Sequence, residues 1–265
     1  MIKKSKGLFI VIFCIFFPLN ASAFDHQHGL FDILLKKHVV MKDDGKTSQV
    51  DYKGISNDKA LMGTYLGALS SVIKSEFDSW DKRKQLAFLI NAYNAYTIDL
   101  VVRNYPVKSI KDIGSMLKST WSIRFIPLLG QKRSLDEIEH EIIRKKGVYD
   151  EPRIHVALVC AAIGCPALRN EAYTYDNLDA QLEKALVLFL SDKSRNRYDS
   201  KEKKFHVSPI FKWYEVDFKD KFGSLEKFFL KYPKVLSSNE QDMAIMKQGG
   251  SSVVFGDYNW KLNDR

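Results

Sequence analysis

Residues 84–103 read KQLAFLINAYNAYTIDLVVR, and apolar or aromatic side chains recur there on every side of a helix. A helix that is apolar all round is typical of a buried position in a protein core. Pro106 follows within a few residues, and a proline at this place is a helix stop signal. We therefore expect a central buried helix around which the rest of the chain packs.

Asn91 and Asn94 interrupt this apolar helix, and their spacing of three places both side chains on one face. Buried amides need hydrogen-bond partners, which favours a structural role for both residues. The alternative is that the two amides form the polar floor of a substrate-binding cleft. The sequence leaves both interpretations open.

The sequence on either side of this helix predicts further helices and a few strands. The elements, in chain order, are a helix over 59–77, a helix opened by the capping box of Ser134 and Glu137 and ending at Lys146, a buried strand over 153–160, a helix capped by Thr174, a hairpin over 197–208 and a helix from Ser224 to Pro233. This order predicts an α+β fold, a helix-dominated single domain around a small buried sheet. We expect residues 24–236 to form this domain, and residues 237–265 to form a mobile strap and a docked tail.

His155 and two cysteines occur in one short motif. A Cys–His pair is the usual equipment for thiolate attack on an amide or ester. In a regular strand, side chains five residues apart point to opposite faces and lie roughly 16 Å apart. His155 therefore pairs with Cys160 only if the chain bends, whereas Cys165 reaches His155 more easily. A Cys160–Cys165 disulfide is the alternative, and it would remove both nucleophiles.

Two further segments offer candidate site residues. Glu139 on the capped helix could orient a catalytic histidine, although a Glu139–His140 pair is also typical of a solvated surface. Trp213 and Asp217 belong to a segment dense in aromatic and acidic residues, which predicts either a substrate-binding groove or core packing.

These segments together resemble domain-of-unknown-function family 547. The resemblance rests on LAFLINAYNAYTI (86–98), SLDEIEHEIIR (134–144), RIHVALVCAAIGCPALR (153–169), IFKWYEVDF (210–218) and YNWKLN (258–263). Its motif residues are Asn91, Asn94, Glu139, His140, Arg153, His155, Cys160, Cys165, Trp213, Tyr214, Asp217 and Trp260. Leu89 departs from the family pattern, since many members carry Trp there.

The family has no assigned activity, so the resemblance implies a fold and a set of site residues only. A buried helix followed by a His-bearing strand is similar to the core of papain-like and transglutaminase-like thiol enzymes. In those enzymes the helix carries the nucleophilic cysteine, whereas the helix of this chain offers Asn91 and Asn94. Fold analogy does not decide between a relocated nucleophile and a non-catalytic relative.

The first 23 residues have the three-part layout of a secretory signal peptide. Three lysines precede an apolar run from Leu8 to Leu19, which contains Cys14, and Ala21-Ser22-Ala23 is a small-x-small cleavage signal. The run is shorter than the roughly 20 residues that span a membrane. We therefore expect cleavage after Ala23, no transmembrane anchor in the mature chain, and a periplasmic or secreted product.

The charge distribution argues against a nucleic-acid partner. Loss of residues 1–23 removes three lysines and no acidic residue, so the formal net charge falls from +9 to +6. The densest basic cluster, residues 201–204, is interrupted by Glu202, which is typical of a solvated surface. We expect no nucleic-acid partner and no cofactor, and the sequence does not fix an oligomeric state.

Cleavage after Ala23 would create a terminus that suits one kind of metal. Phe24, Asp25 and His26 would present a free amine, two backbone nitrogens and an imidazole, which together form a square-planar site for Cu(II) or Ni(II). The alternative is a loose terminus without a ligand. His26 is therefore the predicted metal ligand.

Two functions fit these residues. The first is a thiol-dependent hydrolase or acyltransferase acting on amide bonds of a peptide or cell-envelope substrate. Its predicted catalytic residues are Cys160 or Cys165 as nucleophile, His155 as base and Glu139 as orienter. The second is a non-catalytic envelope binding or scaffold module with a structural disulfide, in which a groove near Asn91 and Trp213 binds a peptide or glycan.

Overall fold

The computed structural model describes residues 23–115 and 118–265. The predicted signal peptide, including Cys14, lies outside the described residues except for Ala23. Within these two ranges, no helix is long and apolar enough to cross a membrane.

Helices and short strands alternate along the described chain. The α-helices are α1 Gly29–His38, α2 Tyr52–Asn57, α3 Lys59–Ser71, α4 Lys74–Ser79, α5 Lys82–Asn104, α6 Leu178–Ser191, α7 Ile210–Trp213, α8 Glu215–Phe222, α9 Leu225–Phe229, α10 Pro233–Leu236 and α11 Glu240–Lys247. The strands are β1 Val39–Lys42, β2 Thr47–Val50, β3 Ile126–Leu128, β4 Gln131–Arg133, β5 Arg197–Asp199, β6 Lys204–Val207 and β7 Ser252–Phe255. Short 3-10 helices span Asp43–Gly45, Ile110–Ile113, Thr120–Ser122 and Pro152–Val156, and a π-helix spans Glu137–Ile143.

Helix α5 is the central buried helix that its sequence predicts. Asp81 caps its first turn by accepting hydrogen bonds from the backbone N–H groups of Arg83 and Lys84. Every residue from 85 to 101 is buried, because α2, α3, the π-helix and the 3-10 helix Ile110–Ile113 pack around it. The helix ends at Asn104, just before Pro106.

A second hydrophobic core forms on the C-terminal side of the domain. It is built largely from phenylalanine rings, among them Phe189, Phe205, Phe211, Phe218, Phe228 and Phe229. The rings come from α6, β6, α7, α8 and α9, so this core fixes the position of α8 relative to the rest of the domain. That position matters because α8 carries Asp217.

The strands form three small sheets instead of a single one. β1 pairs with β2, and β3 with β4, each antiparallel. β6 lies between β5, which is antiparallel to it, and β7, which is parallel to it. The described structure is 52% helical, which confirms a helix-dominated α+β fold.

The predicted buried strand over 153–160 is wrong. Residues Pro152–Val156 form a 3-10 helix, and the chain then continues without regular structure to Cys160. Pro152 occupies the first turn and the Glu151 carboxylate accepts a hydrogen bond from Arg153 N–H, which starts a helical turn. A short apolar run does not distinguish a buried strand from a buried helical turn.

Other predicted helix bounds also need correction. The helix expected over 59–77 is two helices, α3 and α4, because Val72 adopts an extended conformation. The helix expected after Thr174 begins only at Leu178, and the one opened by Ser224 ends at Phe229. The predicted hairpin is confirmed as β5–β6.

The capping box at Ser134 is confirmed, but the helix it opens is a π-helix. Ser134 Oγ accepts a hydrogen bond from Glu137 N–H, and Glu137 Oε2 accepts one from Ser134 N–H. Arg144 N–H donates to the Glu139 carbonyl five residues back, which is the spacing of a π-helix. The helix therefore ends at Ile143 and not at Lys146.

The C-terminal segment is held against the domain by backbone hydrogen bonds. Residues 237–252 contain α11, and β7 then extends the β5–β6 sheet. Farther along, Ile163 N–H donates to the Lys261 carbonyl, and Gly164 N–H donates to the Asn259 carbonyl. These bonds bring Tyr258 and Trp260 to the loop that carries both cysteines.

Candidate functional site

A cleft of about 190 Å³ collects most of the predicted site residues. It is lined by His155, Cys160 and Cys165, by Glu139 and Asp136, and by aromatic residues that include Trp213, Tyr214, Tyr258 and Trp260. His155 and Cys160 can line one cleft because the chain between them forms a helical turn at Pro152–Val156 and then bends. An extended strand would instead hold the two side chains far apart.

Asp217 holds His155 in place from the neighbouring helix. Asp217 Oδ2 lies 2.7 Å from His155 Nε2, and the same carboxylate accepts two hydrogen bonds from Arg144, at 2.7 and 3.1 Å. The bidentate Arg144–Asp217 pair fixes the carboxylate geometry. The hydrogen-bond partner of His155 is thus Asp217, which the sequence suggested as a substrate-binding residue, and not Glu139, for which the orienting role was predicted.

The imidazole ring is fixed on its face as well as on its edge. Tyr214 stacks on His155 with ring centroids 3.6 Å apart and an interplanar angle of 12°. With Nε2 engaged by Asp217, Nδ1 is the remaining ring nitrogen, and no group in the described chain forms a hydrogen bond with it. An Asp217-bound Nε2–H leaves the Nδ1 lone pair to accept a proton.

Different effects decide the pKa values of His155 and Asp217: burial decides that of His155, and hydrogen bonding decides that of Asp217. Burial lowers the pKa of His155 below its ordinary value of 6.5, and this outweighs the opposing effect of Asp217. Burial tends to raise the pKa of the Asp217 carboxyl, but the hydrogen bonds from His155 and Arg144 hold that pKa well below its usual range. At neutral pH the pair is therefore a neutral imidazole beside an ionised carboxylate, which is the state of a general base.

Cys160 and Cys165 are joined by a disulfide bond, with Cα atoms 6.3 Å apart. Cys165 is 5% exposed, whereas Cys160 is half-buried and reaches the cleft. The sulfur of Cys160 lies 2.9 Å from Tyr258 Oη, and burial raises the pKa of Tyr258 well above its usual value, so this hydroxyl keeps its proton. Cys160 is accordingly the more accessible sulfur, with a hydroxyl donor beside it.

Glu139 projects from the π-helix into the base of the cleft. Its side chain is buried, and Oε1 has no hydrogen-bond partner among the described residues. Burial raises the pKa of Tyr93 and of Tyr214, and the nearby Glu139 carboxylate raises both further. π-helical segments are rare and occur often at functional sites.

Asn91 and Asn94 lie behind the cleft and do not line it. Asn94 bonds the Ala157 carbonyl at 2.9 Å and the Val159 N–H at 3.0 Å, while Asn91 bonds both polar groups of the Tyr173 backbone. Each side-chain amide donates one hydrogen bond to, and accepts one from, the backbone of a single loop. They position the loops on either side of the cysteine segment, which is the hub role that the sequence left open.

Trp213 lies at the mouth of the cleft and is 46% exposed. It stacks on Trp260, with centroids 5.7 Å apart, and contacts Tyr258 at 4.8 Å. Trp121 packs edge-on against Trp260. The rings of Trp121, Trp213, Tyr258 and Trp260 form an aromatic rim. Trp213 is the member of this rim that the sequence predicted as a substrate-binding residue.

Two places are relevant to metal binding. His26 Nδ1 is buried without a partner, and its ring packs edge-on against Trp80 at 4.4 Å, so the predicted copper site requires this ring to rotate out. Asp199, Glu202 and His206 bring three ligand atoms within 4.8 Å of one another on the β5–β6 hairpin. Glu202 there is paired with Lys204 at 2.9 Å, which opposes cation binding.

Sequence reasoning missed Arg144, Tyr93 and Tyr258 as site residues. All three lie in segments that carry the family resemblance, so a signal was present. The Arg144–Asp217 pair joins residues 73 positions apart, and no local pattern predicts such a contact.

Residues 77–190 match the family model described as "Protein of unknown function, DUF547". The match supports the resemblance but covers less of the chain than the five segments do, since Trp213, Asp217 and Tyr258 lie beyond it. No curated protein and no solved structure matches the chain.

Proposed function

We propose that this chain is an exported, thiol-dependent hydrolase or acyltransferase that acts on amide bonds. Cys160 is the nucleophile, His155 the general base and Asp217 the residue that orients it. The observation that supports this most is the shared cleft: a histidine locked between Asp217 and Tyr214 lines the same space as the half-buried Cys160. A disulfide with a purely structural role would not require an oriented histidine in the same cleft.

The chemistry follows from these positions. Nδ1 of His155 takes the thiol proton of Cys160, and the sulfur adds to the amide carbonyl carbon. The C–N bond breaks as the amine takes that proton from His155. Water or an acceptor amine then attacks the thioester, again with His155 as base, and the thiol is regenerated. The Tyr258 hydroxyl, 2.9 Å from the sulfur, is placed to donate to the negative charge that develops there.

The disulfide makes the described form an inactive, oxidised one. Activation requires a dithiol reductant, whose two thiols become a disulfide while Cys160 and Cys165 become thiols. Cys160 then serves catalysis, and the more buried Cys165 closes the bond again under oxidising conditions. A relationship to papain-like or transglutaminase-like thiol enzymes would rest only on the order of a buried helix and a histidine segment, since His155 lies in a 3-10 helix and not on a strand.

The second candidate is a non-catalytic envelope binding module. The disulfide itself favours it, because a closed Cys160–Cys165 bond ties the loop together and offers no nucleophile. In this case the aromatic rim around Trp213 binds a peptide or glycan of the cell envelope, and reduction only weakens the fold.

An acyl-transfer burst distinguishes the two candidates. The mature protein should show no free thiol before reduction. After reduction by a dithiol, it should release one equivalent of p-nitrophenol rapidly from p-nitrophenyl acetate, with the acetyl group on Cys160. Cys165→Ala should show this burst without reductant, and Cys160→Ala should lack it. His155→Gln should slow the burst at least tenfold. Equal, slow acetylation of all these variants would refute the enzyme proposal.

A further inference from the structure

The cleft has a charge opposite to that of the whole chain. The chain carries a formal net charge of +9, but its described cleft residues include Asp136 and Glu139 and neither lysine nor arginine. Arg144, the nearest guanidinium, forms the bidentate pair with Asp217 and also bonds His140, so a single guanidinium stands against the three carboxylates of Asp136, Glu139 and Asp217. The base of the cleft is therefore electronegative, a property that selects cationic ligands.

Glu139 at the base of the cleft has one carboxylate oxygen, Oε1, without a hydrogen-bond partner among the described residues, while the hydroxyls of Tyr93 and Tyr214 lie close to the carboxylate. Glu139 is 4% exposed, and no described group forms a hydrogen bond with its Oε1 atom. A buried carboxyl oxygen without a hydrogen bond is costly, so the arrangement favours an incoming donor. Asp136 is a second carboxylate in the cleft: burial raises its pKa, His140 at 3.8 Å lowers it, and the nearby Glu139 raises it.

The walls of the cleft supply the second feature of an ammonium site. Tyr258, Trp213 and Trp260 line it, and the faces of aromatic rings attract alkylammonium groups. One such contact already exists on the outer side of the aromatic rim, where Lys111 Nζ lies 3.9 Å from the Trp260 ring centroid. Tyr214 also lines the cleft, but its ring is already stacked on His155 and lies 5.1 Å from the Arg144 guanidinium. Aromatic walls around a buried carboxylate form the kind of cage that binds amines.

The size of the cleft limits what enters. A volume of about 190 Å³ is below the roughly 300 Å³ at which pockets for drug-sized ligands begin. It suits one extended side chain and not a whole sugar or peptide.

We propose that this cleft is a subsite for an alkylammonium side chain, with Glu139 binding the ammonium group and the aromatic walls covering its alkyl stem. The substrate class is then a peptide with a lysine-like diamino acid next to the amide that Cys160 attacks. The substrate class rests on the proposed function, but binding of an alkylammonium side chain in the cleft does not require a free thiol.

The test uses the mature, oxidised protein and two small probes. N-acetyl-lysine methylamide and its neutral analogue N-acetyl-norleucine methylamide are titrated while tryptophan fluorescence is recorded, since Trp121, Trp213 and Trp260 all line the cleft. We expect the lysine probe to bind at least tenfold more tightly than the norleucine probe. Glu139→Gln should reduce this preference to less than threefold, while the matched control Glu141→Gln, an exposed residue of the same helix, keeps it.

A measurement on the wild-type protein keeps the proposal testable if Glu139→Gln does not fold. Raising the salt concentration from 50 to 500 mM should weaken binding of the lysine probe only modestly, because a buried ion pair is screened less than an exposed one, and should leave the norleucine probe unchanged. Equal affinity for both probes, or an unchanged tenfold preference in a folded Glu139→Gln, would overturn the subsite. Because the disulfide stays closed, a preference for lysine without any acyl burst would refute the enzyme and leave the subsite standing.

Discussion

The C-terminal tail packs tightly against the cysteine loop at Gly164. A Cβ atom at this position would lie 2.9 Å from Asn259 N and 3.0 Å from two ring atoms of Tyr258. Ordinary contacts between carbon atoms begin at about 3.5 Å. The obstacles are a backbone and a planar ring, so a methyl group there forces the tail outwards by roughly half an ångström.

We therefore expect Gly164→Ala to lower the free energy of unfolding. Overpacking of this kind costs about 1–3 kcal/mol, and the reduced entropy of the unfolded chain offsets about 0.4–1 kcal/mol of that. The net loss should be about 1–2 kcal/mol, measured by urea denaturation. Tyr258 should also move away from Cys160, which would increase the accessibility of the Cys160 sulfur to reductant.

The matched control is Gly63→Ala in α3, where a Cβ atom meets nothing within 4 Å. This substitution should leave stability unchanged or raise it by up to about 1 kcal/mol, because alanine favours a helix over glycine. If Gly164→Ala is as stable as Gly63→Ala and its disulfide is reduced at the wild-type rate, the close approach of the tail is not as described.

Three further substitutions test the capping, hub and burial arguments. Ser134→Ala should cost on the order of 1 kcal/mol in chemical denaturation, through the lost cap of the π-helix. Asn91→Leu should cost roughly 2–4 kcal/mol, because it leaves the buried N–H and carbonyl of Tyr173 unpaired; an unchanged or raised midpoint would show that Asn91 is not a hub. Burial lowers the pKa of His28 to about 3, so below pH 6.5 the unfolded chain takes up a proton that the folded chain refuses. The free energy of unfolding should then fall by up to about 1.4 kcal/mol per pH unit between pH 6.5 and 3. His28→Asn should flatten that slope, and an unchanged slope would count against the burial of His28.

The sequence predicted those parts of the fold that follow from local patterns. The apolar periodicity of residues 84–103 predicted α5, the Ser134–Glu137 pair predicted a helix start, and the turn residues near Ser200 predicted the β5–β6 hairpin. The run over 153–160 was misjudged, because its apolar residues fit a buried strand and a buried turn equally well. The type of the helix at Glu137–Ile143 depends on packing against α5, which no local pattern contains.

The candidate site was predictable in its components but not in its connections. Cys160, Cys165, His155, Glu139 and Trp213 were identified by residue type, and all five line one cleft. The sequence predicted Glu139 as the residue that orients His155, whereas the hydrogen-bonded carboxylate is that of Asp217; the second core that brings α8 beside the 3-10 turn is a long-range feature.

The most direct test of the catalytic proposal is the pH dependence of Cys160 alkylation in Cys165→Ala. Iodoacetamide labelling of the Cys160 peptide, followed by mass spectrometry, gives the rate at each pH. With His155 as its base, Cys160 should react as a thiolate with a midpoint clearly below the ordinary thiol pKa of about 8.5. His155→Gln should move that midpoint back towards 8.5, while His140→Gln, exposed in the same cleft, should not. A midpoint at or above 8.5 that does not respond to His155→Gln would contradict the proposed pairing of Cys160 with His155.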